Sequence, residues 1–77
     1  MSSFQGRTVV VTGFGSAERA ELEALLANAG AIVTHSVSGR TQVLVIGAKP
    51  GPDKVEKARK AGAEVIDAAA VRARLGG

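Results

Sequence analysis

The 77-residue sequence contains no cysteine, one histidine and only two aromatic residues, Phe4 and Phe14. The lack of cysteine excludes disulfides and thiolate metal sites. Because both aromatic residues lie near the N-terminus, we expect the core to consist of Val, Leu, Ile and Ala. No apolar run approaches the roughly 20 residues of a transmembrane helix, and no secretory signal pattern is visible. We therefore expect a cytoplasmic protein.

The length allows one domain, and a domain of this size buries only about 60% of the surface of its unfolded chain. Hydrophobic residues make up 45% of the sequence, so a modest core can form. The formal net charge is +3, with an acidic stretch at 18–23 and a basic stretch at 49–60. Two interpretations stay open for these stretches: solvated helix faces, or a positive surface for phosphate or nucleic acid.

The pattern of apolar residues predicts the element order β-α-β-β-α-β-α. Continuous β-branched runs are typical of strands buried on both faces of a parallel sheet. Ser16 is the expected N-cap of the first helix, Gly30 its C-terminal stop and Asp67 the cap of the last helix. The predicted strands are 7–12, 31–34, 43–46 and 64–66, and the predicted helices are 17–29, 53–61 and a short one after Asp67.

The connection between the second and third predicted strands has only about eight residues, 35–42, and no helix. Parallel crossovers usually need a dozen residues or more. From the residues alone, a β-hairpin over 32–46 is therefore an open alternative to a parallel sheet.

The segment Gly13-Phe14-Gly15 begins like a dinucleotide-binding fingerprint, which requires a third glycine where this chain has Glu18. A glutamate would repel a pyrophosphate, so an enzyme with a nucleotide-binding fold is the weakest hypothesis. His35 has no visible catalytic partner, and no nucleophile has a visible base. We predict a protein without catalytic residues, metal or cofactor.

A phosphate site is the stronger hypothesis. Ligands of open parallel sheets bind beyond the carboxyl ends of the strands, where Thr12 and Gly13 end the first strand. Lys54 starts the helix that leaves the same edge after the third strand. If these strands are neighbours, a hydroxyl, a backbone N–H and an ammonium group converge, which suits a phosphate. The alternative is an ordinary tight turn and a solvated lysine.

Five segments in series resemble the BRCT domain family over the range 4–75. They include Val11-Thr12-Gly13, the segment 36–41 with sequence SVSGRT, and Lys54-Val55-Glu56-Lys57-Ala58 followed by Gly62. The others are 25–33 and 44–47. The likeness is greatest to the bacterial branch found in NAD-dependent DNA ligases and polymerase-associated exonuclease subunits. We interpret residues 1–77 as one such domain, with its core at about 4–75.

The resemblance implies a four-stranded parallel sheet in the order 2-1-3-4, flanked by three helices. The first and third helices pack on one face of the sheet and the second helix on the other. In this arrangement the first and third strands are neighbours, as the phosphate hypothesis requires.

The resemblance also implies a non-catalytic module of a DNA replication or repair protein at the bacterial nucleoid. Its partners would be DNA with 5′-phosphate ends or other replication and repair proteins, and no membrane. A purely protein-docking or homodimerising module is the alternative. The family's pocket residues match Thr12, Gly13 and Lys54, and Arg19 matches a basic position of DNA-binding members. Lys57, one turn after Lys54, completes the predicted site.

Three departures from the family pattern affect these expectations. Val71 stands where the family usually has an aromatic residue, so we expect a thinner core and a less firmly anchored last helix. The loop before Lys54 is one residue longer than the common bacterial form. Asp53 adds a negative charge beside the proposed pocket.

Overall fold

The structure, a computed structural model, describes residues 4–76. Its four strands form one parallel sheet in the order β2-β1-β3-β4, which confirms the expected strand order. The elements are β1 (Thr8–Thr12), α1 (Ser16–Asn28), β2 (Ile32–Thr34), β3 (Val43–Ile46), α2 (Pro52–Lys60), β4 (Glu64–Asp67) and α3 (Ala68–Arg74). β3 has the predicted bounds, and the other predicted bounds differ by about one residue.

The connection between β2 and β3 is a parallel crossover, so the hairpin alternative is wrong. β2 and β3 both pair in parallel with β1, one on each side. The link must therefore cross about 10 Å of sheet and return along strands of only three and four residues. Eight residues can extend to about 26 Å, so short strands make a crossover without a helix feasible.

The two sheet faces carry separate hydrophobic clusters. One contains Val9 and Val11 of β1 with Leu22 and Leu26 of α1 and Val71 of α3. The other contains Val10 of β1, Leu44 of β3 and Ala58 of α2. Helices α1 and α3 thus cover one face and α2 covers the other, as expected, because successive residues of a strand point to opposite faces.

The core includes an aromatic residue, contrary to the expectation of a purely aliphatic interior. Phe4 is fully buried in the cluster beneath α1 and α3. Val71 is also fully buried there. Two ion pairs hold α3 as well, from Arg72 to Glu21 of α1 and from Arg74 to Glu64 of β4. The last helix therefore contacts the core through Val71, without an aromatic residue of its own.

The helix ends follow from backbone geometry as much as from side chains. Gly15, in extended conformation, is the N-cap of α1 and makes no side-chain cap, so the prediction of Ser16 as N-cap is wrong. Asp67 does cap α3, since its Oδ1 accepts a hydrogen bond of 2.8 Å from the Ala70 N–H. Gly30, with φ of +88°, follows α1 as expected.

Candidate functional site

The carboxyl ends of the four strands form one end of the sheet, here called the carboxyl edge. Two backbone segments pack closely there. The Gly47 N–H donates to the Thr12 carbonyl at 2.8 Å, and the Lys49 N–H donates to the Gly13 carbonyl at 3.4 Å. Gly13 has φ of +84°, and a Cβ there would lie 2.9 Å from the Pro50 nitrogen. Only glycine fits this turn without strain, so the β1–α1 turn and the loop leading to α2 are held together.

Thr12 lies on the sheet face that α2 covers. It pairs with Ile46, which packs with the α2-side cluster. Thr12 is only 9% exposed, and Thr41 is the other buried polar residue in the described part of the chain. The Thr41 hydroxyl accepts a hydrogen bond from the Ser38 N–H. Thr12 thus contributes a nearly buried hydroxyl at the carboxyl end of β1.

Lys54 lies in the first turn of α2 and is half-buried. The cap residue Gly51 supplies no side-chain cap, so backbone N–H groups at this helix start lack intrahelical acceptors. The structure thus places Thr12, Gly13 and the start of α2 at one edge. Asp53, in the same turn, is exposed.

Arg19 and Lys57 lie apart from this turn. Arg19 is exposed on α1, the helix on the opposite sheet face, although its N–H bonds the Gly15 carbonyl near the same edge. Lys57 lines a separate concavity of about 360 Å³ with Lys60 and the loop residues Ser38 and Gly39. Of the predicted set, Thr12, Gly13 and Lys54 therefore lie at this edge. Arg19 lies on α1, and Lys57 lies farther along α2.

A larger concavity, of about 870 Å³, opens at the carboxyl edge between the starts of α1 and α3. Phe14 and Ile46 contribute apolar walls, and Glu18, Lys49 and Asp67 contribute charges. Sequence reasoning did not assign Lys49 or Asp67 to a site, since Lys49 follows β3, Asp67 ends β4, and the two meet only through the sheet order. Glu18 lies beside the glycines of the turn, where it would repel a pyrophosphate.

The Glu64–Arg74 ion pair lies at the opposite, amino edge of the sheet and shifts the pKa of both groups. Hydrogen bonds of 2.5 and 2.8 Å from Arg74 lower the pKa of Glu64, and the same pairing raises the pKa of Arg74.

Residues 4–76 contain no group of three or more His, Cys, Asp or Glu side chains suited to a metal. Nor does any helix within that range have the length and apolarity to cross a membrane.

Comparisons with known proteins agree with this architecture. The model of the BRCA1 C Terminus (BRCT) domain matches residues 1–74. The chain is 44% identical over 72 residues to a DNA ligase of Rubrobacter xylanophilus and 46% identical over 74 residues to a DNA ligase of Syntrophobacter fumaroxidans. These matches cover 94% and 95% of the chain but only 10% and 11% of the ligases. The chain thus spans about a tenth of the length of these relatives.

A solved structure shares the fold. The crystal structure of S. pombe Rad4 BRCT3,4 superposes with a TM-score of 0.79, covering 96% of this chain and 43% of that one. At 21% sequence identity, this likeness concerns the fold alone.

Proposed function

The chain belongs to the BRCT domain family, and from that premise we propose that it binds 5′-phosphate ends of DNA for a replication or repair protein. A BRCT domain is a non-catalytic module. The homology to DNA ligases makes DNA the appropriate ligand to propose. We expect the module to act in the cytoplasm, at the bacterial nucleoid.

The observation that carries this proposal is the arrangement of Thr12, Gly13 and Lys54. The Thr12 side chain lies on the α2 face of the sheet. The turn at Gly13 packs on the loop that leads into α2, and Lys54 lies in the first turn of that helix. A hydroxyl, a helix start and an ammonium group together provide hydrogen-bond donors and positive charge for a terminal phosphate.

The proposal predicts that Lys54→Ala removes discrimination between 5′-phosphate and 5′-hydroxyl ends. A charge-assisted hydrogen bond contributes about 1.5–3 kcal/mol, so the variant should lose about tenfold or more in affinity for the phosphorylated end. The measurement is a titration of a duplex with a recessed 5′ end, phosphorylated or not, by fluorescence anisotropy.

Arg59→Ala is the matched control, since Arg59 is exposed on the same helix and carries the same charge. It should keep the ratio of affinities for the two ends. If Lys54→Ala keeps that ratio as well, the phosphate does not bind at this edge. A parent protein indifferent to the 5′-phosphate would overturn the proposal itself.

Protein docking or homodimerisation without DNA binding is the second candidate function. Ile32 favours it, because it is 55% exposed on β2, an edge strand of the sheet. Exposed edge strands can pair with another chain. Light scattering after size exclusion, compared with the DNA titration, separates the two functions: a tight dimer that ignores DNA would support docking.

A further inference from the structure

The concavity between α2 and the β2–β3 loop lies apart from the Thr12–Gly13–Lys54 site, although its Lys57 was predicted from the sequence to belong to that site. We propose that this cleft, formed by Lys57, Lys60, Ser38 and Gly39, binds an internal phosphate of the strand whose 5′ end occupies the Thr12–Gly13–Lys54 site. The inference rests on the proposed function and adds a second, separate contact with the DNA backbone.

The spacing of lysines on α2 suits a nucleic-acid strand. Lys54, Lys57 and Lys60 recur every three residues, so successive lysines are neighbours on the helix surface, about 60° apart around its axis. At a rise of 1.5 Å per residue, Lys54 and Lys60 are about 9 Å apart along the helix axis. A DNA strand carries one phosphate per roughly 3.4 Å of duplex axis. The cleft therefore faces a phosphate about one to three positions from the terminal one.

The loop side of the cleft is already ordered. The Ser38 N–H donates to the Thr41 Oγ1 at 3.0 Å, and the Thr41 N–H donates to the Ser38 carbonyl at 3.1 Å. Thr41 is only 2% exposed, so this turn is fixed to the body of the domain. The Ser38 Oγ accepts the Arg40 N–H at 3.2 Å. Its own proton can then point outward as a donor to an anion.

The charges of the cleft favour an anion, with one internal competitor. Lys57 is exposed and forms no ion pair within residues 4–76. Lys60 pairs with Glu56 at 3.5 Å, with both side chains largely exposed. Such exposed pairs are weak, so a phosphate can displace Glu56 from Lys60.

The first test is the salt dependence of binding to the 5′-phosphorylated recessed duplex. Each neutralised phosphate adds about 0.7–0.9 to the slope of log affinity against log salt. The double variant Lys57→Ala/Lys60→Ala should lower the slope by that amount, so its affinity should fall about threefold less than the parent's between 50 and 200 mM salt. Arg59→Ala is the control for loss of charge, because its position is about 200° around the helix from Lys57.

The second test removes charge from the DNA instead. A neutral methylphosphonate at one of the first three internal positions should weaken binding of the parent by about threefold or more and leave the double variant unaffected. Glu56→Gln, which frees Lys60, should strengthen binding of the unmodified duplex.

The outcomes distinguish this inference from the function on which it rests. If the parent ignores the 5′-phosphate, the proposed function fails and the inference fails with it. A second outcome is that the parent discriminates between 5′-phosphate and 5′-hydroxyl ends while the double variant has the same salt slope as Arg59→Ala and responds to methylphosphonates as the parent does. In that case only the proposed phosphate contact in the cleft is wrong. Far-UV circular dichroism of each variant checks that a loss of binding does not come from unfolding.

Discussion

Replacing Gly47 by alanine should disrupt the contact on which the candidate site depends. A Cβ at Gly47 would lie 2.3 Å from the Gly13 carbonyl oxygen and 2.8 Å from Phe14 Cδ1, whereas ordinary contacts begin at 3.4 Å. The two backbone segments would have to separate by about 1 Å. Overpacking against movable side chains costs about 1–3 kcal/mol. Because backbone is on both sides here, we expect the upper end of that range, about 3 kcal/mol.

Such a loss is large for this domain. At roughly 0.05–0.15 kcal/mol per residue, the free energy of unfolding of the chain is about 4–12 kcal/mol. Urea unfolding measures the change, with far-UV circular dichroism as the signal because the sequence has no Trp or Tyr. With a slope of about 1–3 kcal/mol per molar urea, the midpoint should fall by about 1–3 M.

Substitutions at two other glycines separate the cost of a steric clash from the cost of a left-handed backbone. Gly62 has φ of +76° with open space around it, so Gly62→Ala should cost only the left-handed conformation, about 1–2 kcal/mol. Gly39 has neither constraint, so Gly39→Ala should be neutral, or stabilising by up to about 1 kcal/mol. If Gly47→Ala unfolds at the midpoint of Gly39→Ala, the close approach of the two backbones is not a feature of the folded protein.

Two further predictions concern the other end of the domain. Phe4→Ala should destabilise the fold by about 3–5 kcal/mol, since Phe4 is fully buried, and an unchanged melting temperature would contradict its place in the core. Because hydrogen bonds from Arg74 lower the pKa of Glu64, the stabilisation by this pair is complete above the ordinary glutamate pKa and is lost as the pH falls through the lowered value. Glu64→Gln should therefore flatten the acid limb of stability against pH, and an unchanged limb would show that the pair contributes nothing.

The elements with continuous apolar runs could be predicted from the sequence. Residues 43–46 are all aliphatic and a glycine follows them, so β3 was predicted with its observed bounds. Phe4 could not be assigned to the core by the same reasoning. It lies in a turn before β1, where no periodicity applies, and its burial depends on the cluster that α1 and α3 complete.

The strand order, and with it the candidate site, could not be predicted from local sequence patterns alone. The eight residues of the β2–β3 connection are fewer than a parallel crossover usually needs, so length alone favoured a hairpin. The resemblance to the BRCT family chose the crossover, and the parallel pairing confirms it. Only then do Thr12 and Lys54 belong to the same edge. The position of Lys57 beside the β2–β3 loop could not be predicted, because that loop has no regular structure.

Under the proposed function, the distribution of charge around the edge would also set the direction in which a DNA strand leaves it. The concavity toward α1 and α3 contains two carboxylates, Glu18 and Asp67, against one ammonium group, that of Lys49. The opposite side contains Lys57 and Lys60. A phosphate backbone bound as proposed would therefore be repelled on the α3 side and attracted along α2, and because these charged side chains are exposed, the preference should weaken as salt rises. In this proposal the end-binding site and the cleft on α2 form one path, in which the first contact would fix the end of the strand and the second would fix its direction.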